Sequence, residues 1–298
     1  MTIAHDFEYL RPKTLDEALA ALAAAGTKAR VLAGGTDLLG WLKDGLVTPD
    51  LLVDVKDLEE LAGLEVEGTS LLLGANVTFA EVLHSDVLRE RLPLLWEAAG
   101  TVASCGLRNR ATVVGNLCSA VPCCDSGPAL LVHEAVVELQ AAGGRREVPI
   151  GSWFLGPRRT AARPDELVTG LRIPLSERPQ GGCYVKLGRY RGEDLAQAGV
   201  AVLVDERLAW RIAFGAVAPT PLRGPLIETL AAGKPPTVEL FDSLEPLLPN
   251  TIAPITDVRA TKAYRLHMVG VMLGRAMTAA HQRLTGCGPA YGRNLLED

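Results

Sequence analysis

The segment from Arg110 to Leu131, RATVVGNLCSAVPCCDSGPALL, constrains the fold of this chain more than any other stretch. It carries little charge, is rich in small residues and contains three of the six cysteines. A β-prone run, Thr112 to Val114, leads into Gly115 and Asn116, a pair that tolerates positive φ and favours a tight turn. With the carboxylate of Asp125, the pattern predicts a slot lined by backbone that a large planar or phosphorylated ligand can approach. The alternative is an ordinary buried loop whose residues are small for packing.

A second small-residue segment, Val31 to Leu38, reads VLAGGTDL. A strand runs into a Gly34–Gly35 turn, and the Thr36–Asp37 pair can cap a helix from Leu38 to Lys43. Such a turn presents backbone N–H groups at a helix N-terminus, which suits a diphosphate. The segment matches neither the G-x-G-x-x-G fingerprint nor the P-loop pattern.

Length and charge limit the classes of protein that the chain can belong to. Its 298 residues are enough for two domains, and a net charge of −5 without a basic block argues against a nucleic-acid partner. No apolar run reaches the length of a membrane span, and the start, MTIAHDFEYLRP, lacks a signal-peptide pattern. We therefore expect a cytoplasmic protein.

The cysteines and histidines form no metal-site pattern. The six cysteines include no C-x-x-C, and the five histidines show no ligand spacing. We expect neither a metal site nor a disulfide framework in this chain.

A polar, Pro- and Gly-containing stretch, LSERPQGG at 175–182, is the predicted domain boundary. Beyond it, Tyr184 to Leu187, Ala198 to Val204 and Leu208 to Val217 are typical of an antiparallel meander. Thr261 to Leu284 has helical spacing, and its Met and Leu stripe is interpreted as core.

Five motifs occur here in the order of one known family: VLAGGTDLL, RATVVGNLCSAVPCCDSGPALL, DELVTGLRIP, YVKLGR and ATKAYRLHMVGVMLGRA. The chain resembles the FAD-binding (medium) subunit of molybdenum hydroxylases, the xanthine dehydrogenase and carbon monoxide dehydrogenase family. The resemblance extends from about Phe7 to Ala279, and the first two motifs at this separation are its specific part.

The resemblance implies an α+β fold with two domains. Residues 1–175 would form a vanillyl-alcohol oxidase-type (PCMH-type) FAD-binding domain, with subdomains of about 1–55 and 56–175. Residues 182–298 would form a smaller domain with a three-stranded antiparallel sheet and helices.

The resemblance also implies an electron-transfer function. Non-covalent FAD would be the cofactor, in a heterotrimer with a [2Fe-2S] small subunit that delivers electrons and a molybdopterin large subunit that oxidises the substrate. The flavin would pass electrons to an external acceptor, and this chain would supply no residue to substrate oxidation.

Carried over position by position, the resemblance implies a set of cofactor-binding residues. Asp125 matches an acidic residue that binds polar groups of FAD. Lys186 matches a lysine near the flavin ring that favours the reduced, anionic form of the flavin. Val168 matches an apolar position that packs on the cofactor. The full set is Val31, Leu32, Ala33, Gly34, Gly35, Thr36, Asp37, Leu38, Val102, Thr112, Val113, Val114, Gly115, Asn116, Asp125, Val168 and Lys186.

Two departures from the family pattern stand out. Val102 aligns with an aromatic residue that stacks on the flavin in xanthine dehydrogenases, and Cys123–Cys124 replace small uncharged residues. One relative carries an extra [4Fe-4S] cluster in an inserted loop that this chain lacks, so we expect no such cluster at Cys105, Cys118 and Cys123–Cys124.

Two other functions fit the same fold. A self-contained FAD oxidoreductase would need a base near the flavin, and the sequence offers no clear one. A binding or assembly protein would have kept the fold and lost the flavin.

Overall fold

The computed structural model of the protein describes residues 3–190 and 194–297; positions 1, 2 and 298, at the outer ends of the two predicted domains, lie outside the described residues. The helices are α1 Leu15–Ala25, α2 Leu38–Lys43, α3 Phe79–His84, α4 Asp86–Arg91, α5 Pro93–Gly100, α6 Cys105–Arg108, α7 Val113–Ser119, α8 Ser126–Val132, α9 Pro225–Ala231, α10 Val238–Leu244, α11 Leu248–Thr251 and α12 Lys262–Leu284. The strands are β1 Glu8–Leu10, β2 Ala29–Leu32, β3 Leu51–Asp54, β4 Leu64–Glu67, β5 Ser70–Gly74, β6 Val136–Ala141, β7 Gly144–Pro149, β8 Phe154–Gly156, β9 Arg159–Thr160, β10 Leu167–Pro174, β11 Gln180–Leu187, β12 Ala198–Asp205, β13 Trp210–Gly215 and β14 Leu222–Arg223.

Two larger sheets of different kind, together with the two-stranded sheet β8-β9, form the N-terminal part of the fold. The first is a three-stranded parallel sheet in the order β1-β3-β2. The second is a five-stranded antiparallel sheet in the order β4-β5-β10-β6-β7. The loop that follows β2 in the first sheet and the central strand β10 of the second sheet border the same cavity.

The C-terminal sheet is antiparallel, in the order β11-β12-β13-β14. It contains the predicted meander, and it differs from the predicted three strands by the two-residue β14, which pairs with the end of β13. Strand β11 starts at Gln180, inside the stretch predicted as a boundary. The α+β fold class is confirmed.

The two faces of this sheet pack in different directions because side chains alternate along a strand. Tyr184 on β11 joins the large hydrophobic cluster of the N-terminal region, together with Ala201 and Leu203 of β12. Cys183 and Val185 point the other way, into a second cluster under α12. The sheet therefore sits between the two cores.

The strand and turn predicted for Thr112 to Asn116 are wrong, because this segment is the start of α7. The Thr112 hydroxyl caps the helix by accepting from Gly115 N at 2.9 Å. Val113 is fully buried, so core packing outweighs the strand preference of the Val-Val pair. The left-handed residue is Ala120 at the helix end, with φ 45°.

Among the helices of residues 3–190 and 194–297, none has both the length and the apolar character that crossing a membrane requires.

Candidate functional site

A cleft of about 710 Å³ runs between the N-terminal sheets and reaches β11 of the C-terminal sheet. This volume falls within the range of small-molecule and cofactor sites. Fifteen of the residues predicted from the sequence line it: Val31, Ala33, Gly34, Gly35, Thr36, Asp37, Leu38, Val102, Thr112, Val114, Gly115, Asn116, Asp125, Val168 and Lys186. Leu32 and Val113 do not, because both are buried in the core behind its wall.

The loop after β2 needs both of its glycines. Gly35 has φ 76°, a left-handed conformation that favours glycine. At Gly34, a Cβ atom would lie only 2.0 Å from the carbonyl oxygen of Arg110. The loop and the start of the second motif therefore pack backbone against backbone, as only glycine allows.

Backbone donors of this loop point to an anionic ligand. In the described part of the chain, the N–H groups of Gly35, Thr36 and Asp37 have no hydrogen-bond acceptor. All three residues line the cleft just before α2 begins. Unfilled N–H groups ahead of a helix attract phosphate oxygens, so the loop fits a diphosphate.

The side chain of Asp37 does not cap α2, contrary to the prediction. Its carboxylate instead accepts a hydrogen bond from the Ser119 hydroxyl at the end of α7. This contact ties the first loop to the second motif.

Asn116 on α7 holds the start of α8. Its Oδ1 accepts from the Ser126 hydroxyl at 2.7 Å and from Cys124 Sγ at 3.1 Å. The second motif thus folds as two short helices, with Asp125 just before the second one.

A strained turn forms the wall near Val102. Ala103 has φ 40°, and the Arg108 guanidinium donates to the carbonyl oxygens of Val102 and Ala103, both at 2.8 Å. On the opposite side, the pairing of β10 shifts by one residue between Val168 and Gly170. Both valines reach the cleft, as predicted, although their contact with a cofactor remains a prediction.

Asp125, Tyr184 and Lys186 form a buried polar cluster at the end of the cleft formed by β11. Lys186 Nζ donates to Asp125 Oδ2 at 2.7 Å and to the Thr101 carbonyl at 2.9 Å. The Tyr184 hydroxyl donates to Asp125 Oδ1 at 2.9 Å. Burial raises the pKa of Asp125, while Lys186 and the Tyr184 hydroxyl favour its charged form. Burial, followed by the neighbouring Asp125, raises the pKa of Tyr184 well above 10, so the hydroxyl keeps its proton.

Sequence reasoning missed several residues of the site. Trp41 and Arg158 line the cleft with the guanidinium 5.8 Å from the indole centroid, and Ser119 lines the same wall. Nothing in the spacing of Trp41 and Arg158 shows that they meet. Tyr184 was detectable, since it lies two residues before Lys186 and so on the same face of β11.

The cysteines divide by position. Cys118 and Cys123 line the cleft, Cys105 and Cys287 are exposed away from it, and Cys124 is buried. Burial raises the pKa of Cys124 to about 12. Within the described ranges, no group of three or more His, Cys, Asp or Glu side chains is placed to hold a metal ion.

Two family models match consecutive parts of the chain. Residues 5–176 match the FAD binding domain in molybdopterin dehydrogenase, and residues 183–280 match the CO dehydrogenase flavoprotein C-terminal domain. The carbon monoxide dehydrogenase medium chain of Hydrogenophaga pseudoflava is 34% identical over 281 residues, 93% of this chain and 98% of that one. The xanthine dehydrogenase FAD-binding subunit of Escherichia coli O157:H7 is 30% identical over 278 residues, 91% of this chain and 95% of that one.

A solved structure agrees with these relatives. A chain of the reconstituted CO dehydrogenase from Oligotropha carboxidovorans superimposes with a TM-score of 0.90 at 34% identity, over 95% of this chain and 100% of that one. The chain therefore belongs to the molybdenum hydroxylase family, as an FAD-binding medium subunit of xanthine and CO dehydrogenase type. It is an oxidoreductase subunit, and the resemblance to this family expected from its motifs is confirmed.

The cleft fits FAD by its own chemistry. It offers unfilled N–H groups for a diphosphate at the glycine loop, apolar walls at Val102 and Val168, and an ammonium group at Lys186. How each of these residues contacts the cofactor remains a prediction.

Proposed function

We propose that this chain carries electrons within a larger molybdenum hydroxylase. It would receive them from a [2Fe-2S] subunit, which is reduced by a molybdopterin subunit, and pass them to an external acceptor. FAD supplies the redox chemistry when bound, because its ring takes up and releases electrons.

One observation carries the proposal: a single cleft joins the glycine loop, α7 and the Lys186 wall. The loop N–H groups would bind the diphosphate, and Lys186 would lie at the other end, where negative charge on a bound ring gains from a nearby cation. The medium chain of carbon monoxide dehydrogenase, which is 34% identical, supports the same role.

Nothing in the cleft favours a self-contained oxidase. Among the described residues, Lys186 is hydrogen-bonded to Asp125 and Thr101. Each carboxylate that lines the cleft also has a donor: Asp37 has Ser119, Asp125 has Tyr184 and Lys186, Glu166 has Arg146, and Asp194 has the N–H of Arg189. A substrate-oxidising enzyme needs a free general base at the reacting atom, and the polar cluster is arranged instead to hold charge in place.

The test is to isolate the native complex through an affinity tag on this chain. We expect bound FAD together with two further chains that contain iron, acid-labile sulfide and molybdenum. Anaerobic addition of dithionite should reduce the iron–sulfur clusters and the flavin, which is seen as a loss of their absorbance. An external acceptor should then reoxidise both cofactors.

Two outcomes would contradict the proposal. A chain that purifies alone with FAD and turns over an aldehyde or alcohol would be a self-contained oxidoreductase. A chain that shows no flavin absorbance after incubation with FAD would be a binding or assembly protein.

A further inference from the structure

Both oxygens of Asp125 are held by the same strand. Tyr184 and Lys186 alternate with Val185 on β11, so their side chains project from one face. The tyrosine hydroxyl occupies Oδ1 at 2.9 Å and the lysine ammonium occupies Oδ2 at 2.7 Å. Asp125 is 8% exposed and Tyr184 is 4% exposed, so water does not replace either donor.

Among the described residues, two groups accept hydrogen bonds from the Lys186 ammonium, which leaves one N–H to spare. An ammonium carries three N–H donors, and the protein fills two of them, through Asp125 Oδ2 and the Thr101 carbonyl. Since Lys186 lines the cleft, the remaining N–H is available to a bound ligand.

Tyr184 is fixed at both ends and does not line the cleft. Its backbone N–H donates to Glu97 Oε2 at 2.7 Å. Across the sheet, Gly199 leaves room for the hydroxyl, because a Cβ atom there would lie 3.0 Å from it. The neighbouring strand is therefore shaped around this hydroxyl.

We propose that Tyr184 is a positioning residue for the flavin: its hydroxyl satisfies Asp125 Oδ1 and so leaves the third N–H of Lys186 directed to the cofactor. The inference rests on the proposed function and names a residue that acts through Asp125 and Lys186 without touching FAD.

The physical reason is the cost of an unpaired buried acceptor. Without the hydroxyl, Asp125 Oδ1 loses the one side-chain donor that the described residues give it, in a carboxylate that is only 8% exposed. The nearby group with spare donor capacity is the Lys186 ammonium, which would turn its third N–H from the cleft to the carboxylate. A bound ring would then lose part of its cationic partner.

The experiment measures the midpoint potential of FAD in the tagged native complex, with Tyr184→Phe, Lys186→Met and the double variant. Lys186→Met should lower the potential, because negative charge on the reduced ring loses its cation. Tyr184→Phe should lower it in the same direction by a smaller amount. The double variant should match Lys186→Met alone, since the hydroxyl acts only through the lysine.

A matched control is Tyr264→Phe, which removes a hydroxyl from the exposed face of α12 and should leave the potential unchanged. Gly199→Ala tests the same idea without removing the hydroxyl, because the new methyl group presses on it; it should shift the potential as Tyr184→Phe does. If Tyr184→Phe does not fold, Gly199→Ala alone decides the question.

Two results would overturn the inference. The first is an unchanged potential in Tyr184→Phe or, if that variant does not fold, in Gly199→Ala. The second is a shift from Tyr184→Phe that persists in full on the Lys186→Met background. Either result would leave the proposed function standing, provided that the wild-type complex contains FAD and transfers electrons. Absence of FAD from the wild-type complex would instead contradict the proposed function.

Discussion

Glu97 and Arg283 form a buried, two-point ion pair across the two hydrophobic cores. Arg283 Nη1 and Nη2 donate to the two carboxylate oxygens of Glu97 at 3.0 and 2.8 Å. Their side chains are 3% and 4% exposed, although one lies on α5 and the other near the end of α12. Tyr291 covers the guanidinium with its ring centroid 3.9 Å away. The pair therefore fastens the C-terminal helix and the segment after it to α5.

Replacement of Arg283 by Met should destabilise the protein strongly. Among the donors that the structure describes, it leaves the buried Glu97 carboxylate with the N–H groups of Tyr184 and Gly292. An uncompensated buried charge costs about 3–5 kcal/mol of unfolding free energy. Urea denaturation followed by circular dichroism measures the change.

The matched control is Arg89→Met, which breaks the exposed Arg89–Asp86 pair, 60% and 80% exposed. It should cost less than about 1 kcal/mol. Equal effects of the two substitutions would show that the buried pair is not what joins α12 to α5.

His133 should make the protein sensitive to mild acid. Burial, helped by the neighbouring Arg211, lowers its pKa from 6.5 to about 4. Between these values the unfolded chain binds a proton that the folded chain does not. The stability that depends on neutral His133 is therefore fully present above about pH 6.5. As the pH falls from 6.5 towards 4, the free energy of unfolding should decrease by about 3 kcal/mol in total.

His133→Gln should flatten this part of the curve. The measurement is the unfolding free energy at several pH values from 4 to 7, for the variant and the wild type. His267→Gln, at an exposed position of α12, is the control and should keep the wild-type slope. A wild-type slope in His133→Gln would mean that other groups cause the acid sensitivity.

Gly34→Ala should weaken FAD binding without unfolding the protein. The new Cβ atom would lie 2.0 Å from the Arg110 carbonyl oxygen, so the loop must move away from the second motif. Its N–H groups then lose their position, and we expect the Kd for FAD to rise at least about tenfold, equal to about 1.4 kcal/mol. Titration of the FAD-free protein with FAD, followed by flavin fluorescence, gives the Kd.

Gly40→Ala is the control, because this glycine lies within α2 with open space around it. Alanine suits a helix better than glycine, so FAD affinity should stay the same. Unchanged affinity in Gly34→Ala would mean that the glycine loop does not bind the diphosphate.

Local patterns predicted much of the fold because their signals are short-range. The predicted strand before Gly34 is β2, the predicted helix from Leu38 to Lys43 is α2, and the helical spacing after Thr261 is α12. The two glycine-containing segments also came together as expected, because the family motifs specify both.

Tertiary packing decided the features that the sequence did not predict. The Thr112 to Asn116 segment has strand-like valines, yet it is helical because the Thr112 cap and the core favour α7. Asp37 follows a capping pattern, yet its carboxylate accepts a hydrogen bond from Ser119, which is distant in sequence. A partner that distant leaves no periodic signal, so only the structure identifies it.

The cleft cysteines provide a test of where FAD binds that does not depend on activity. Cys118 lines the cleft and is exposed, whereas Cys105 and Cys287 are exposed outside it. Iodoacetamide should label Cys105 and Cys287 readily in the FAD-free protein and Cys118 more slowly, because the cleft walls desolvate the Cys118 thiol and raise its pKa to about 12. Cys124 has a pKa raised to the same value, about 12, and should stay unlabelled because it is also buried and so closed to the reagent.

Bound FAD should protect Cys118 alone among the three exposed thiols. At a free FAD concentration of about 100 times Kd, the cleft is empty about 1% of the time, so the labelling rate should fall about 100-fold. Cys105 and Cys287 report any change in reagent or in overall structure, and their rates should not move. Peptide mass spectrometry over a time course gives each rate separately. If Cys118 reacts equally fast with and without FAD while the flavin remains bound, the cofactor lies elsewhere than in this cleft.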